Sequence, residues 1–415
     1  MELKAGYKQT EVGVIPEDWD VRQLSNISLK IMVGIASAAT HAYRLSGIPM
    51  IRNQNIKPGH LLDSDLLFID QEYEKTYRNK RLLEGDLLTT RTGYPGTTCI
   101  VPAKYKAAQS FTTLITRPDT AQITSKFLCL YINSEHGQRF FKSSQIGGAQ
   151  KNVNTGTLQK MPIPIPIISE QTKVSNVLGA VEELLASIEN LIAKKRALKQ
   201  ATMQELLTGK RRLPGFEGEW EVKRLGDLGE FLKGSGVKKD EATSGDLPCV
   251  RYGEIYTHHE NYVREFKSHI STNVASRAAT IRQGDILFAG SGETKEEIGK
   301  AIALPHPIKA FAGGDIVILR QQDSDALFLG YRLNAIDISR QKAGLGQGDA
   351  VVHISARSLS EISVSLPKRE EQEAIAGILY EMDIELRQLQ LHLAKIQSLK
   401  QGMMQQLLTG KIRLI

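Results

Sequence analysis

Few residue sets in this sequence have the types and spacing of a reaction centre. Thr208-Gly209-Lys210 and Thr409-Gly410-Lys411 share the ending of a phosphate-binding loop. That loop also needs a glycine five residues before the one that precedes the lysine, and a Ser or Thr after the lysine. Gln204 and Gln405 hold the first place, Arg211 and Ile412 the last, so both segments read as helix ends. Glu221-Val222-Lys223 has nuclease-like Glu-x-Lys spacing, but the matching stretch earlier in the chain is Asp20-Val21-Arg22 and no upstream acidic partner accompanies it. His258-His259 reads as a solvated pair in a loop. No His-Glu-x-x-His or Cys-x-x-Cys pair gives zinc spacing, and no Gly-x-Gly-x-x-Gly opens a helix. The Asn/Asp-Pro-Pro-aromatic tetrad of amino-methyltransferases is missing too. The chain therefore reads as non-catalytic, with no cofactor and no metal of its own.

Binding chemistry is what remains. Over 415 residues, 53 Lys and Arg face 46 Asp and Glu, a formal net charge of +7. A basic balance favours nucleic acid as partner. Much of the excess is local, in Lys194-Lys195-Arg196, Lys199, Lys210-Arg211-Arg212 and Lys233 to Lys239. Any one of these runs is equally well a solvated helix face. The three cysteines, Cys99, Cys129 and Cys249, have neither metal spacing nor an even count, which fits a reducing compartment. The N-terminus lacks the apolar stretch of a signal peptide, and no run approaches membrane-spanning length. A cytoplasmic protein with no membrane contact is the expectation.

The elements that position these residues come twice. Leu206-Leu207-Thr208-Gly209-Lys210 returns as Leu407-Leu408-Thr409-Gly410-Lys411, a shift of 408 − 207 = 201 positions. The same shift carries Trp19 onto Trp220 and Glu170-Gln171 onto Glu371-Gln372. A period this long is a duplicated domain rather than a solenoid repeat. Gly47-Ile48-Pro49-Met50-Ile51-Arg52 answers Asp246-Leu247-Pro248-Cys249-Val250-Arg251, and Gly85-Asp86-Leu87-Leu88 answers Gly284-Asp285-Ile286-Leu287. Short β-type runs bounded by Gly, Asp and Pro predict mixed α/β halves rich in short strands. Both tryptophans read as core residues at the start of a strand.

Each copy closes in a long helix. Apolar residues recur every three or four positions at Val174, Leu178, Val181, Leu185, Ile188 and Ile192, and again at Ile375, Leu379, Met382, Leu386, Leu389, Leu393 and Ile396. That spacing is a coiled-coil seam. A stripe of this length cannot be buried by one helix alone. The two copies are expected to pack as an antiparallel pair related by a pseudo-two-fold, with a globular domain near each end. Pro164, Pro166 and Pro367 mark the helix starts, and Gly209 and Gly410 the helix ends. The expected division is a first domain over 1–165, a first helix over 166–209, a second domain over 210–366 and a second helix over 367–415.

At this point the residues resemble a known family. Gly6-Tyr7-Lys8-Gln9-Thr10-Glu11-Val12-Gly13-Val14-Ile15-Pro16-Glu17-Asp18-Trp19 is similar to the opening of specificity subunits of type I restriction-modification systems. The Gly-Asp-Leu/Ile-Leu strands, the Pro-rich run into Glu-Gln and the closing Leu-Leu-Thr-Gly-Lys resemble the same family, in order and twice. The resemblance implies two target-recognition domains, each reading half of a split site in double-stranded DNA. It implies helices that hold them apart and dock methylation subunits, two in number, with restriction-translocase subunits joining through these. S-adenosylmethionine, ATP and magnesium would then belong to the partners. The other readings are a self-contained methyltransferase or nuclease, and a coiled-coil scaffold that binds protein only.

The duplication also sorts candidate DNA-binding residues. Side chains shared by both copies must fold the domain or grip phosphate, whereas unshared ones can read different bases. Arg52 and Arg251 are shared, and are either backbone contacts or structural ion pairs. Thr90-Arg91-Thr92-Gly93-Tyr94 faces Ala289-Gly290-Ser291-Gly292-Glu293, so Arg91 has no counterpart and could fork onto guanine, with Thr92, Tyr94 and Ser291 beside it. Gln150-Lys151-Asn152 opposes Val351-Val352-His353, where amides could pair with adenine or Asn152 could serve a turn. Lys233, Lys238 and Lys239 flank Gly234 and Gly236, as phosphate grips or as a solvated loop.

Overall fold

A computed structural model of the chain describes residues 5–37, 39–143, 152–348 and 351–415. It divides into two compact units, one of Met1–Glu189 with His392–Ile415, the other of Asn190–Leu391. The boundary runs through the two long helices, Ile168–Leu206 and Arg369–Leu407. Each unit is therefore closed by chain from the other repeat.

The units are built alike. In the first, a four-stranded antiparallel sheet runs in the order Ser28–Val33, Leu114–Pro118, Leu87–Thr89, Thr98–Ile100. In the second the order is Gly229–Lys233, Ile316–Gln321, Ile286–Ala289, Ala301–Ala303. A second four-stranded sheet in each contains one parallel pair, Ile48–Ile51 with Gln109–Ser110 and Leu247–Val250 with Ala310–Ala312. The mixed, short-stranded halves expected from the turn residues are present.

The repeated Gly-Asp step has a structural cause. Gly85 and Gly284 turn at φ +84° and +92°. The aspartate that follows is buried, caps its own turn and takes a two-pronged arginine from the neighbouring strand. Asp86 accepts the Leu83 N–H at 2.8 Å and both prongs of Arg117 at 2.8 Å. Asp285 accepts the Arg282 N–H at 2.9 Å and Arg320 at 3.1 and 2.9 Å.

The Glu-Gln step at each helix start is an anchor. Gln171 accepts the Thr124 N–H at 2.7 Å and donates to the Pro166 carbonyl at 2.9 Å. Gln372 repeats both bonds with Asp325 and Pro367, each at 2.9 Å. Glu170, 1% exposed, accepts Trp19 Nε1 at 3.1 Å and Arg413 at 2.7 and 2.9 Å. Glu371 accepts Arg212 at 2.6 and 2.7 Å. Because 413 − 212 is also 201, the two arginines are repeat mates. Gly209 and Gly410 end the helices at φ +69°, and a Cβ on Gly410 would press on Pro16 at 2.5 Å.

Within each unit a stretch of one long helix lies against a stretch of the other. In the first, Val174 and Leu178 share a core with Leu407 and Leu408, and Glu182 pairs with Lys400 at 2.8 Å. In the second, Lys195 pairs with Glu385 at 2.7 Å, and Lys199 pairs with Asp383. Ile188, Ile192, Ile375, Leu379 and Leu386 are buried, while Val181, Leu185, Met382, Leu389, Leu393 and Ile396 are half-buried.

Two expectations need correction. Lys199 is buried rather than part of a solvated basic face, because Asp383 and the ring of Tyr331 enclose it. His259 is buried rather than solvated. It packs edge-on to His258 with ring centroids 5.0 Å apart, and burial pushes its pKa down to about 4.

Lys342 is buried as well. Its ammonium donates to the Gly299 and Leu333 carbonyls at 2.7 and 2.9 Å, and burial pushes its pKa from 10.5 down to about 7. The unfolded chain holds this proton up to about pH 10, so between about pH 7 and 10 it binds more protons than the folded chain. Stability contributed at this position therefore rises with pH across that window, by up to about 1.4 kcal/mol per pH unit. Lys342→Met is expected to flatten that rise, measured by urea unfolding of the second unit from pH 7 to 9. A second expectation concerns Arg413. Its removal leaves the Glu170 carboxylate buried without its cation, a loss of about 3–5 kcal/mol. Urea unfolding of Arg413→Ala in a Trp220→Phe background, where Trp19 is the sole fluorescent tryptophan, reads the loss in the first unit.

Candidate nucleic-acid interface

In the first unit, two turns bring the candidate residues together. Strand Leu87–Thr89 ends in a loop whose Thr90 hydroxyl and Thr97 hydroxyl both donate to the Tyr94 carbonyl, at 2.5 and 3.1 Å. Gly93 and Gly96 make the reversal at φ +80° and +95°. Tyr94 is left at the tip, 86% exposed. The second turn is Asn53–Asn55, capped by Arg52. The Asn53 amide donates to the Thr92 hydroxyl at 3.1 Å and joins the turns. Asn53 escaped the sequence reading because a single asparagine carries no spacing signal.

Both arginines at this junction have unused donors. Arg52 donates one terminal N–H to the Asp65 carbonyl at 2.6 Å, a carbonyl rather than an acid. The Nε atoms of Arg52 and Arg91 are buried with no acceptor among the described residues. A buried donor without an acceptor costs about 1–3 kcal/mol. The Arg91 carbonyl accepts the Val153 N–H at 3.1 Å. Asn152 is exposed beside that bond. Gln150 and Lys151 lie outside the described residues.

The second unit carries the same frame with other side chains. The Gly290 carbonyl accepts the Ile354 N–H at 3.0 Å. Since 354 − 153 is 201, Gly290 holds the backbone place of Arg91. Ser291 pairs with His353 across a short antiparallel ladder, and Ser291 Oγ lies 2.9 Å from His353 Nδ1. A cavity of about 320 Å³ opens there, lined among others by Lys233, Gly290, Ser291, Asp315, Gln347 and His353. Where the first unit places an arginine, the second leaves a hollow with a hydroxyl and an imidazole on its wall. Asp315, at φ +60°, and Gln347, whose backbone pairs with that of His353 in both directions, join these two residues only through the fold.

The glycines beside Lys233 are sterically required. A Cβ on Gly234 would lie 2.1 Å from the Gly313 carbonyl, and Gly236 turns at φ +78°. Lys233 lines the cavity, while Lys238 and Lys239 are exposed on the short turn that follows. Arg251 begins helix Tyr252–Thr257 as Arg52 begins its turn, and has no ion-pair partner among the described residues. Beneath Gly292, a Cβ would meet the Tyr256 hydroxyl at 2.8 Å, and burial raises Tyr256 to about 12.

Among the described residues no cluster of His, Cys, Asp and Glu could hold a metal ion. Lys223 pairs with Glu221 at 3.1 Å on an exposed strand. The three cysteines are buried and free. No helix among the described residues is long and apolar enough to cross a membrane.

Comparison with known proteins bears on the same frame. A family model described as the type I restriction modification DNA specificity domain matches residues 16–198 and again 217–401. The putative type I restriction enzyme MjaX specificity subunit of Methanocaldococcus jannaschii is 25% identical over 431 residues, covering 98% of this chain and 96% of that protein. The EcoKI specificity subunit of Escherichia coli is 23% identical over 308 residues, 69% of this chain and 64% of that one. Among solved structures, the S subunit of a type I restriction-modification system from M. genitalium matches with a TM-score of 0.59 at 15% identity, covering 98% of both chains. The HsdS subunit from Thermoanaerobacter tengcongensis matches with a TM-score of 0.51 at 16% identity, covering 96% and 98%.

Proposed function

This chain belongs to the type I restriction modification DNA specificity family, and on that premise we propose that its two domains, 1–165 and 210–366, each read one half of a split site in double-stranded DNA. The observation that carries the reading is one backbone place with two chemistries. Arg91 and Gly290 accept the same repeat-related hydrogen bond, yet one presents a guanidinium and the other a hollow beside Ser291 and His353. A frame that is shared while its tips differ is what reading two unlike half-sites requires. Thr92, Tyr94, Asn152, Ser291 and His353 stand on the tips as candidate base contacts, with Gln150 and Lys151 next in sequence to Asn152. Arg52, Arg251, Lys233, Lys238 and Lys239 act on phosphate, which fixes position and carries no sequence information.

The chain itself does no chemistry in this reading. Methyl transfer and cleavage belong to methylation and restriction subunits that it directs, in the cytoplasm. The helices of 166–209 and 367–415 form an antiparallel, pseudo-two-fold coiled-coil spacer. Each 39-residue helix is about 58 Å long. Oppositely directed ion pairs support the pairing, Glu182 with Lys400 and Lys199 with Asp383. Exposed Val177, Leu184, Leu191 and Leu198, seven residues apart, supply an apolar stripe for helices of two methylation subunits.

Methylation-site profiling of the assembled complex separates readers from grips. Arg91→Ala is expected to relax the choice at one base of one half-site, a loss of ~1–3 kcal/mol in discrimination, and to leave the other half unchanged. Lys238→Ala is expected to weaken binding to all sequences alike and to lower the salt dependence by about one counterion. An unchanged motif in Arg91→Ala removes Arg91 from the readers.

A further inference from the structure

The two units differ at one place where the repeat predicts sameness. In the second, Tyr331 donates its hydroxyl to Asp383 at 2.6 Å, and Lys199 pairs with the same carboxylate. Tyr262 and Tyr380 close over them, their ring centroids 5.5 Å apart, with Tyr262 6.1 Å from Tyr331. In the first unit the ion pair is kept and the rings are gone. Shifting by 201 turns Asp383 into Glu182, Lys199 into Lys400, Tyr331 into Leu130 and Tyr380 into Gly179. The strand edge bridged by Tyr262 at Ala303 in one unit is bridged by Gly59 at Cys99 in the other, one residue along the strand.

The consequence is an open cleft. Nothing lies within 4 Å of a Cβ placed on Gly179. Gly59, Cys129, Leu130 and Met404 help to line a cavity of about 340 Å³, a size within the range of small-ligand sites, about 300–1,000 Å³. The Lys400–Glu182 pair on its wall is 25% and 42% exposed by side chain, against 11% and 4% for Lys199–Asp383. Burial pushes the Cys129 thiol up to about 12, so the cysteine on that wall is neutral, while Lys126, Glu182, Glu183 and Lys400 supply its charges.

We propose that the cleft beside Gly179 binds a small planar aromatic molecule carrying a hydrogen-bond donor, whose ring takes the place of the missing tyrosines and whose donor reaches the Glu182 carboxylate. A partner subunit present in two copies would meet a tyrosine-filled counterpart in the other unit, so a free ligand is the better fit.

The probe is p-cresol, the tyrosine side chain as a free molecule, titrated calorimetrically into the full chain. Saturable binding at one site is expected. Toluene, which lacks the donor, should bind more weakly. Gly179→Tyr, which supplies the ring covalently, should lower p-cresol affinity by more than about tenfold with the circular dichroism spectrum unchanged. No saturable binding, equal affinity for toluene, or undiminished affinity in Gly179→Tyr overturns the proposal. So does failure of p-cresol to bind while Gly179→Tyr blocks association with methylation subunits, because the occupant would then be a partner's side chain.

Discussion

A carboxylate buried at the start of each long helix is the constraint on which the rest of each unit depends. Glu170 and Glu371 are buried at the helix starts, and each is held by a two-pronged arginine. Glu170 takes its arginine from 243 residues further along the chain, and Glu371 takes Arg212 from 159 residues before it. The unequal separations follow from repeat-related arginines serving opposite repeats. Neither unit is complete within its own stretch of sequence, and the last residues of the chain close the first unit. The glycines at φ +69° turn the chain from helix end to clamp, with Gly410 packed on Pro16 and Trp19, and Gly209 on Trp220.

Such a frame separates holding from reading. The Asp86–Arg117 and Asp285–Arg320 pairs, the Gln171 and Gln372 anchors and the two clamps use buried carboxylates and amides that are hydrogen-bonded, and such groups specify geometry when satisfied. The loop tips carry none of that burden. Tyr94 is exposed, Arg91 Nε has no acceptor among the described residues, and Ser291 with His353 faces a cavity. Change at a tip therefore leaves these frame contacts untouched.

Much of this was legible in the sequence, for physical reasons. Periodicity fixes the helices, Gly and Pro punctuate the strands, and the repeat, offset here by 290 − 91 = 199 positions rather than 201, aligns the two halves at Arg91 and Gly290, where the backbone hydrogen bonds agree. What escaped lies in long-range pairing. Lys199 looked like part of a basic run, yet the same shift maps it onto Lys400, and Asp383 onto Glu182. Charge kept at four positions was a signal for an ion pair in each unit. His259 and Lys342 gave no such signal. Lys342 stands where the first copy has Phe141, and only packing shows that a lysine can fill a phenylalanine's place by donating to two carbonyls. Asn53 meets Thr92 only because two turns fold side by side.

In the proposed function, two domains on one chain direct modification to a two-part DNA sequence. Single-molecule mapping of methylated bases across the host genome, with this gene present and deleted, tests it most directly. The expected result is a methylated motif of two specified segments separated by an unspecified spacer, present with the gene and lost without it. A methylation pattern unchanged by the deletion, or loss of a motif that is a single uninterrupted segment, would contradict it.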